Sequence, residues 1–164
     1  MPGYSRGDDG SFFFRYSLLM SIQVSLNHIG IATEAGNSQL DRLFRLLGIQ
    51  KGVSEAVPDQ GVRVHFFNLE GTPPHLELLE VQDPQGSVAR FIEKRGPGIH
   101  HLSFLVESGG LDSLSEMLKA EGFRFTFEAP RKGAQNMRIN FIHPATAGGV
   151  LVELMEAASA AQNH

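Results

Sequence analysis

Two histidines and two glutamates in this chain combine the chemistry and the spacing of a metal site. His28 stands in LNHIGIAT and His101 in IHHLSFLV, 73 residues apart. Glu77 stands in PHLELLEV and Glu153 in GVLVELME, 76 residues apart. Each sits inside an apolar run that reads as a strand, where successive side chains point to opposite faces. His28 then shares a face with Gly30 and Ala32, and His101 with Ser103. Asn27, Ile29 and Ile31, like His100, Leu102 and Phe104, fall on the other, bulkier side. Glu77 lies opposite Leu76 and Leu78, and Glu153 opposite Val152 and Leu154. A buried carboxylate without a partner costs several kcal/mol or shifts its pKa strongly. Two of them at matching places call for a shared cation. Two imidazole nitrogens and two carboxylates, with no sulfur, suit Zn2+, Co2+, Ni2+, Mn2+ or Fe2+.

The matching places come from an internal repeat. LNHIGIAT, LDRLFRLLGI, VRVHFFNL and PHLELLEV in the first half are answered in order by IHHLSFLV, LDSLSEMLKAEGF, MRINFIHP and GVLVELME in the second. The β-branched and aromatic runs read as strands. Leu40, Leu43, Phe44 and Leu47 have helical spacing, with Ser38 as N-cap and Gly48 as stop. Leu111, Leu114, Met117 and Leu118 repeat the pattern and end before Gly122. Val53 to Val57 and Phe123 to Phe127 each offer a further strand. Ser87 to Lys94 predicts a joining helix that buries Val88, Phe91 and Ile92. The expectation is an α+β fold. Two βαβββ modules, about 24–83 and 97–157, are related by a pseudo-twofold axis, and their curved sheets form one cleft within a single domain over 21–157. His100, beside His101, is left out of the ligand set. So are His65, His75 and His143, which have no repeat partner of their own type. Glu80 and Glu156 are expected to be solvated.

Composition narrows the function. The 164 residues are 41% hydrophobic and 20% charged, and the net charge of −4 gives no basic excess to hold nucleic acid or an anionic membrane. No apolar run approaches the about 20 residues needed to cross a bilayer. The absence of cysteine excludes disulfides, zinc–thiolate sites, iron–sulfur clusters and a cysteine nucleophile. Asp8, Asp9 and Arg15 spoil a targeting signal, so residues 1–20 are expected to be a disordered extension, or sequence ahead of a true start at Met20, and the protein to be cytoplasmic. Residues 158–164 are expected to be a frayed tail.

The motifs also carry a resemblance. NHIGIAT, VPDQGVRVHF, HLELLEV, SVARFIEKRGPGIHHLSF, EAPRKGA and INFIHPATAGGVLVELME resemble the vicinal oxygen chelate superfamily, which includes glyoxalase I, extradiol dioxygenases, fosfomycin-resistance proteins and methylmalonyl-CoA epimerases. GIHHLSF, the HP…GGVLVEL ending and DQGVRV are most like the epimerases. The resemblance spans Leu26 to Glu156. It implies the same four metal ligands, His28, Glu77, His101 and Glu153, holding one divalent ion, and proton transfer at C2 of methylmalonyl-CoA through an enolate. Glu153 would serve as one base and Glu77 as the second. Some relatives carry a glutamate where this chain has Val64, a departure that bears on the second base. Arg131, Lys132 and Arg138, in or beside EAPRKGA, would meet CoA phosphates or the substrate carboxylate, and a homodimer is expected. The alternatives are a glyoxalase I-like isomerase acting on a thiol hemithioacetal, and a ligand-binding or resistance protein on the same fold. An Fe(II) dioxygenase uses two histidines and one carboxylate, so a fourth ligand argues against it.

Overall fold

The computed structural model describes residues 22–158, so the expected extension over 1–20 and the tail beyond 158 lie outside the described residues. Eight strands form a single curled sheet: β1 (Val24–Thr33), β2 (Lys51–Val57), β3 (Val62–Phe67), β4 (His75–Val81), β5 (Gly98–Val106), β6 (Arg131–Lys132), β7 (Met137–Ile142) and β8 (Val152–Ala157). Three helices accompany them: α1 (Gln39–Leu46), α2 (Ser87–Arg95) and α3 (Leu111–Ala120).

The strand order is β2-β3-β4-β1-β5-β8-β7-β6. Read outward from the centre, the first module runs β1, β4, β3, β2 and the second β5, β8, β7, β6, so the repeat in the sequence is a repeat in the sheet. β1 pairs in parallel with β4, and β5 in parallel with β8, while β1 and β5 meet antiparallel at the middle. The histidine strands are therefore central, and each glutamate strand flanks its own histidine strand.

Period-2 alternation divides the core between the two faces of the sheet. On the outer face α1 packs Phe44 against Phe67 and Leu78. The Phe44 and Phe67 rings meet edge-on at 5.2 Å, and such a buried aromatic contributes roughly 2–3 kcal/mol. α3 packs Leu111 and Leu114 against Val106, Ile142 and Leu154. On the inner face Val62, Val64, Phe66, Leu79 and Ala32 meet Val88 of α2, with Phe91 and Ile92 beside it. Ile139, Phe141 and Met155 form the counterpart in the second module.

Four local expectations are revised. Phe123 to Phe127 contributes only one isolated bridge, Phe125 to Ile142, and the outer strand of the second module is the two-residue β6. Ser38 occupies the N-cap of α1 without a side-chain bond; the Asn37 carboxamide instead accepts from the Gln39 backbone N–H at 3.1 Å. Leu43 and Leu47 stay exposed despite their helical spacing. Glu156 is not solvated but 2% exposed, because Arg138 and the Leu111 N–H both bind it. Among the described residues no helix is long and apolar enough to cross a membrane.

Candidate metal centre

Two bulges aim the histidines. In the β1–β5 pair, Leu26 faces Phe104 and His28 faces Ser103, which leaves Asn27 as an extra residue in β1. A few residues on, Gly30 faces His101 and Ile31 faces Ile99, which leaves His100 as an extra residue in β5. Each module thus inserts one residue immediately before its histidine. Bulges re-aim side chains in this way. Asn27 consequently turns into the cleft, not toward the helix as strict alternation predicts, and its Oδ1 lies 3.0 Å from His28 Nδ1. His100 packs edge-on against Phe91 of α2, and its Nδ1 lies 3.0 Å from His101 Nδ1. With the Nδ1 of each ring occupied by its bulge neighbour, the two Nε2 atoms are left to face one another at 3.1 Å.

Glu153 completes the group. Its Oε2 is 3.3 Å from His28 Nε2 and 3.8 Å from His101 Nε2. One donor atom from each of His28, His101 and Glu153 lies within 4.8 Å of the other two, and all three residues are buried. Glu77 arrives from the other side of the His28 ring, its Oε1 3.4 Å from Nδ1. Three of the four predicted ligands therefore converge on one point, and the fourth stands one imidazole away. The lining of a cavity of about 30 Å³ includes all four residues together with Val64 and Gln135, room for an ion or a water molecule. Gly30 makes this packing possible, because a Cβ there would collide with the His101 ring.

The environment is electron-rich and dry. Burial pushes the His28 imidazolium down, but the carboxylates of Glu153 and Glu77 outweigh it and its pKa ends above the ordinary value. His101 is driven by burial down to about 4 despite the pull of Glu153. Burial raises Glu77 to about 7. Glu153 is equally buried, yet the two histidines hold its pKa below the ordinary carboxylate range. Ser103, across from Glu153 in the β5–β8 pairing, has a buried hydroxyl that makes no well-formed hydrogen bond yet lies close enough to Glu153 to help hold that carboxylate ionised. Two imidazoles, an ionised carboxylate and this hydroxyl around one small cavity fit a divalent cation.

The basic residues behave differently. Arg138 alternates with Met137 and Ile139 and leaves the cleft. Its guanidinium binds Glu156 at 2.7 Å and Asp112 of α3 at 2.8 and 2.9 Å. Glu156 and Asp112 thus already engage the guanidinium that was expected at CoA. Arg131 and Lys132 are exposed on β6, with the Arg131 guanidinium 4.1 Å from the centre of the Phe127 ring.

Sequence reasoning missed Asn27 and His100 as orienting residues, since a bulge is invisible to a period of two. It also missed Glu55. This residue pairs across strands with Val64, and its Oε2 accepts from the Gln135 N–H at 3.0 Å, spanning the cleft from one edge strand to the other module. Val64 itself is buried and apolar.

A sequence family model described as the glyoxalase/bleomycin resistance protein/dioxygenase superfamily matches residues 27–141. The chain belongs to this superfamily. Its sequence is 37% identical over 134 residues to the uncharacterized protein YqjC of Bacillus subtilis, covering 80% of this chain and 91% of that one. Its fold is similar to the methylmalonyl-CoA epimerase of Mycobacterium tuberculosis, with a TM-score of 0.73 and 38% identity over 81% of this chain and 87% of that one. It is also similar to a substituted Streptomyces coelicolor methylmalonyl-CoA epimerase in complex with 2-nitronate-propionyl-CoA, with a TM-score of 0.71 and 29% identity over 82% and 97% of the two chains. The paired βαβββ modules of the superfamily are what the repeat in this sequence encodes.

Proposed function

We propose that this chain is a metal-dependent epimerase interconverting (2R)- and (2S)-methylmalonyl-CoA by proton transfer at C2. The observation that carries the reading is the buried convergence of His28, His101 and Glu153, with Glu77 on the far side of the His28 ring, in a chain similar to epimerases of that substrate. His28, His101 and Glu153 would hold one divalent ion, and Glu77 is the expected fourth ligand. When bound, such an ion supplies stabilisation of the negative charge that develops on a carbonyl oxygen.

The chain's own groups supply the rest. The C2 proton lies between a thioester and a carboxylate and is too weakly acidic for an unaided carboxylate of ordinary pKa, about 4. Glu153, held ionised, takes the proton on one face. Glu77 returns one on the other, since inversion needs acid–base groups on opposite faces. Asn27 and His100 orient the two imidazoles as partners of metal-binding histidines do. Val64 withholds a carboxylate where some relatives carry one, which leaves the second role to Glu77. We extend the proposal to a homodimer, which light scattering of the purified protein would test.

The test is C2 exchange and inversion of methylmalonyl-CoA in deuterated water by metal-reconstituted protein, with Glu153→Gln and His101→Ala beside it. Metal-dependent exchange with inversion, lost in both variants, is expected. Stoichiometric metal without exchange would sink the epimerase and turn attention to hemithioacetal substrates of the glyoxalase kind.

A further inference from the structure

The cavity of about 30 Å³ at the candidate metal centre is far too small for an acyl-CoA, so most of such a substrate must lie in adjoining space. Two larger cavities share residues with the centre. One, of about 370 Å³, reaches Glu77 and is walled equally by apolar side chains (Leu69, Leu105, Met137, Met155) and polar ones (Asn27, His75, Glu77, Gln135), with no lysine or arginine among them. The other, of about 590 Å³, is a groove between α2 and the 143–151 loop that reaches His101. The groove carries Arg90, Lys94 and Arg95 from one face of α2, and none of its lining residues is acidic. In a chain whose net charge is −4, three cations without an acid form a local field opposite to that of the whole molecule. The same groove is lined by Ile99 and Val150, 65% and 42% exposed.

We infer that this groove takes the phosphate-bearing end of the CoA thioester. Lys94 and Arg95 meet its phosphates, Arg90 supports them from the previous turn, and Ile99 and Val150 cover the apolar stretch of the tail that runs toward His101. The inference rests on the acyl-CoA reading above and moves the phosphate contacts away from β6. Ordinary service explains the cations less well. Lys94 and Arg95 complement the carboxyl end of α2, but that role needs neither Arg90 nor the exclusion of acids from the facing loop. Arg90 donates to the Gln85 carbonyl through one guanidinium nitrogen, leaving the rest of its fork for a ligand. Phosphate is bound by such charge-assisted contacts, and exposed apolar side chains in the same groove as the cations suit the methylene and gem-dimethyl groups of the pantetheine arm.

The experiment uses the full chain and coenzyme A itself, titrated by calorimetry, so that no turnover is required. Lys94→Glu with Arg95→Glu should weaken binding by about 30-fold or more, since charge-assisted bonds are the strong ones. The milder Lys94→Gln with Arg95→Gln should lose about 5-fold or more, with thermal melting to show that both variants fold. Binding that is unchanged in the folded variants, or no binding of coenzyme A by the unsubstituted protein at millimolar concentration, would overturn the assignment. A loss seen in Arg131→Glu with Lys132→Glu, and not in the α2 variants, would overturn it too and return the phosphates to β6. Where turnover is present, the preference in kcat/KM for the CoA thioester over the methylmalonyl-pantetheine thioester, which lacks those phosphates, should collapse by the same factor. Coenzyme A binding that is lost in the variants, in a protein without C2 exchange, would uphold the groove while refuting the epimerase.

Discussion

The two modules place the same residue types at the same positions and, in the metal-free protein, shift their pKa values in opposite directions. His28 lies between two carboxylates, Glu77 at 3.4 Å from Nδ1 and Glu153 at 3.3 Å from Nε2, and it favours its charged form more than a free imidazole does. His101 has Glu153 alone, at 3.8 Å, and burial drives it down to about 4. The glutamates split in the same manner. Burial carries Glu77 up to about 7, whereas two adjacent imidazoles keep Glu153 ionised. A duplicated sheet thus provides symmetric positions, while the neighbours of each position decide its charge. Titratable pairs pushed apart by their surroundings are the mark of divided acid and base roles.

The sharpest test of that division compares Glu153→Gln with Glu77→Gln. Loss of the ionised carboxylate should lower C2 exchange by about 10³-fold or more, within the range that general acid–base groups supply, and strip the metal as well. Loss of Glu77 should cost about 10- to 100-fold, with metal affinity falling less than in Glu153→Gln. Parallel losses in exchange and in metal content, measured by deuterium incorporation and elemental analysis, would mean that the modules contribute alike and that the asymmetry has no functional weight.

The opposing residues offer a second comparison. Gly30 of β1 and Ser103 of β5 stand across from His101 and His28 respectively. Gly30→Ala forces a Cβ into the His101 ring. It should destabilise the metal-free protein by about 1–3 kcal/mol and weaken metal binding at least 10-fold. Ser103→Ala removes a buried hydroxyl that faces Glu153 without a well-formed hydrogen bond, so the stability of the metal-free protein should change by less than about 1 kcal/mol. Chemical denaturation of the two variants checks both. Equal effects would show that the inner face is more plastic than its close contacts imply.

The same asymmetry predicts the pH dependence of the metal-free protein. Glu77 has a folded value of about 7 against an ordinary 4.5. Between these values the folded state holds a proton that the unfolded chain has released, so stability falls as pH rises through that window. His28, raised above 6.5, adds a limb of the same sign as pH climbs further. His100 and His101, both lowered to about 4, act oppositely: the unfolded chain protonates first, and stability is lost as pH drops from 6.5 toward 4. Glu153 deepens that loss below 4.5. Melting temperature should therefore pass through a maximum in mildly acidic solution. Glu77→Gln should steepen the acid side above about 4.5, where Glu77 opposes the histidines, and flatten the side toward neutrality. An unaltered neutral limb in that variant would remove Glu77 from the account.

Much of this was legible in the sequence because a duplication writes each observation twice. His28 with His101, and Glu77 with Glu153, are informative in register although each alone is an ordinary strand residue. The alternation in HLELLEV and VLVELME placed both glutamates on the inner face without reference to tertiary structure. The bulges were not legible, since the extra residues Asn27 and His100 change pairing between strands and leave each strand's own pattern intact. The destination of the cations was not legible either. EAPRKGA and ARFIEKR both read as basic segments, and only the structure reveals that Arg138, a few residues beyond EAPRKGA, faces α3 while Arg90 and Lys94 face the groove. The two-residue β6 was hidden because Phe123 to Phe127 has the better strand composition, yet the chain bends there and pairs at a single residue.

The smallest expected effect concerns the outer pair of glutamates, which repeat as faithfully as the inner one. Glu80 and Glu156 are cross-strand partners of Arg63 and Arg138. Each carboxylate also accepts a backbone N–H at the start of its module's helical segment, from Gly36 at 2.9 Å and from Leu111 at 3.3 Å. The first module completes its carboxylate with His65 at 2.8 Å and leaves Arg63 to solvent, whereas the second uses Arg138. Because Glu156 is buried and Glu80 only partly so, Arg138→Ala should cost about 1–3 kcal/mol by stranding a buried charge, and His65→Ala less than about 1 kcal/mol. Neither should change C2 exchange, since both lie on the helix-bearing face or its edge and not in the metal cavity. Denaturation midpoints of the two variants measure the ordering. If His65→Ala proved the costlier, the exposed strap from Gly36 to Glu80 would be the tighter of the two, and the second module would owe its rigidity to the packing of Leu111 and Leu114 rather than to its buried ion pair.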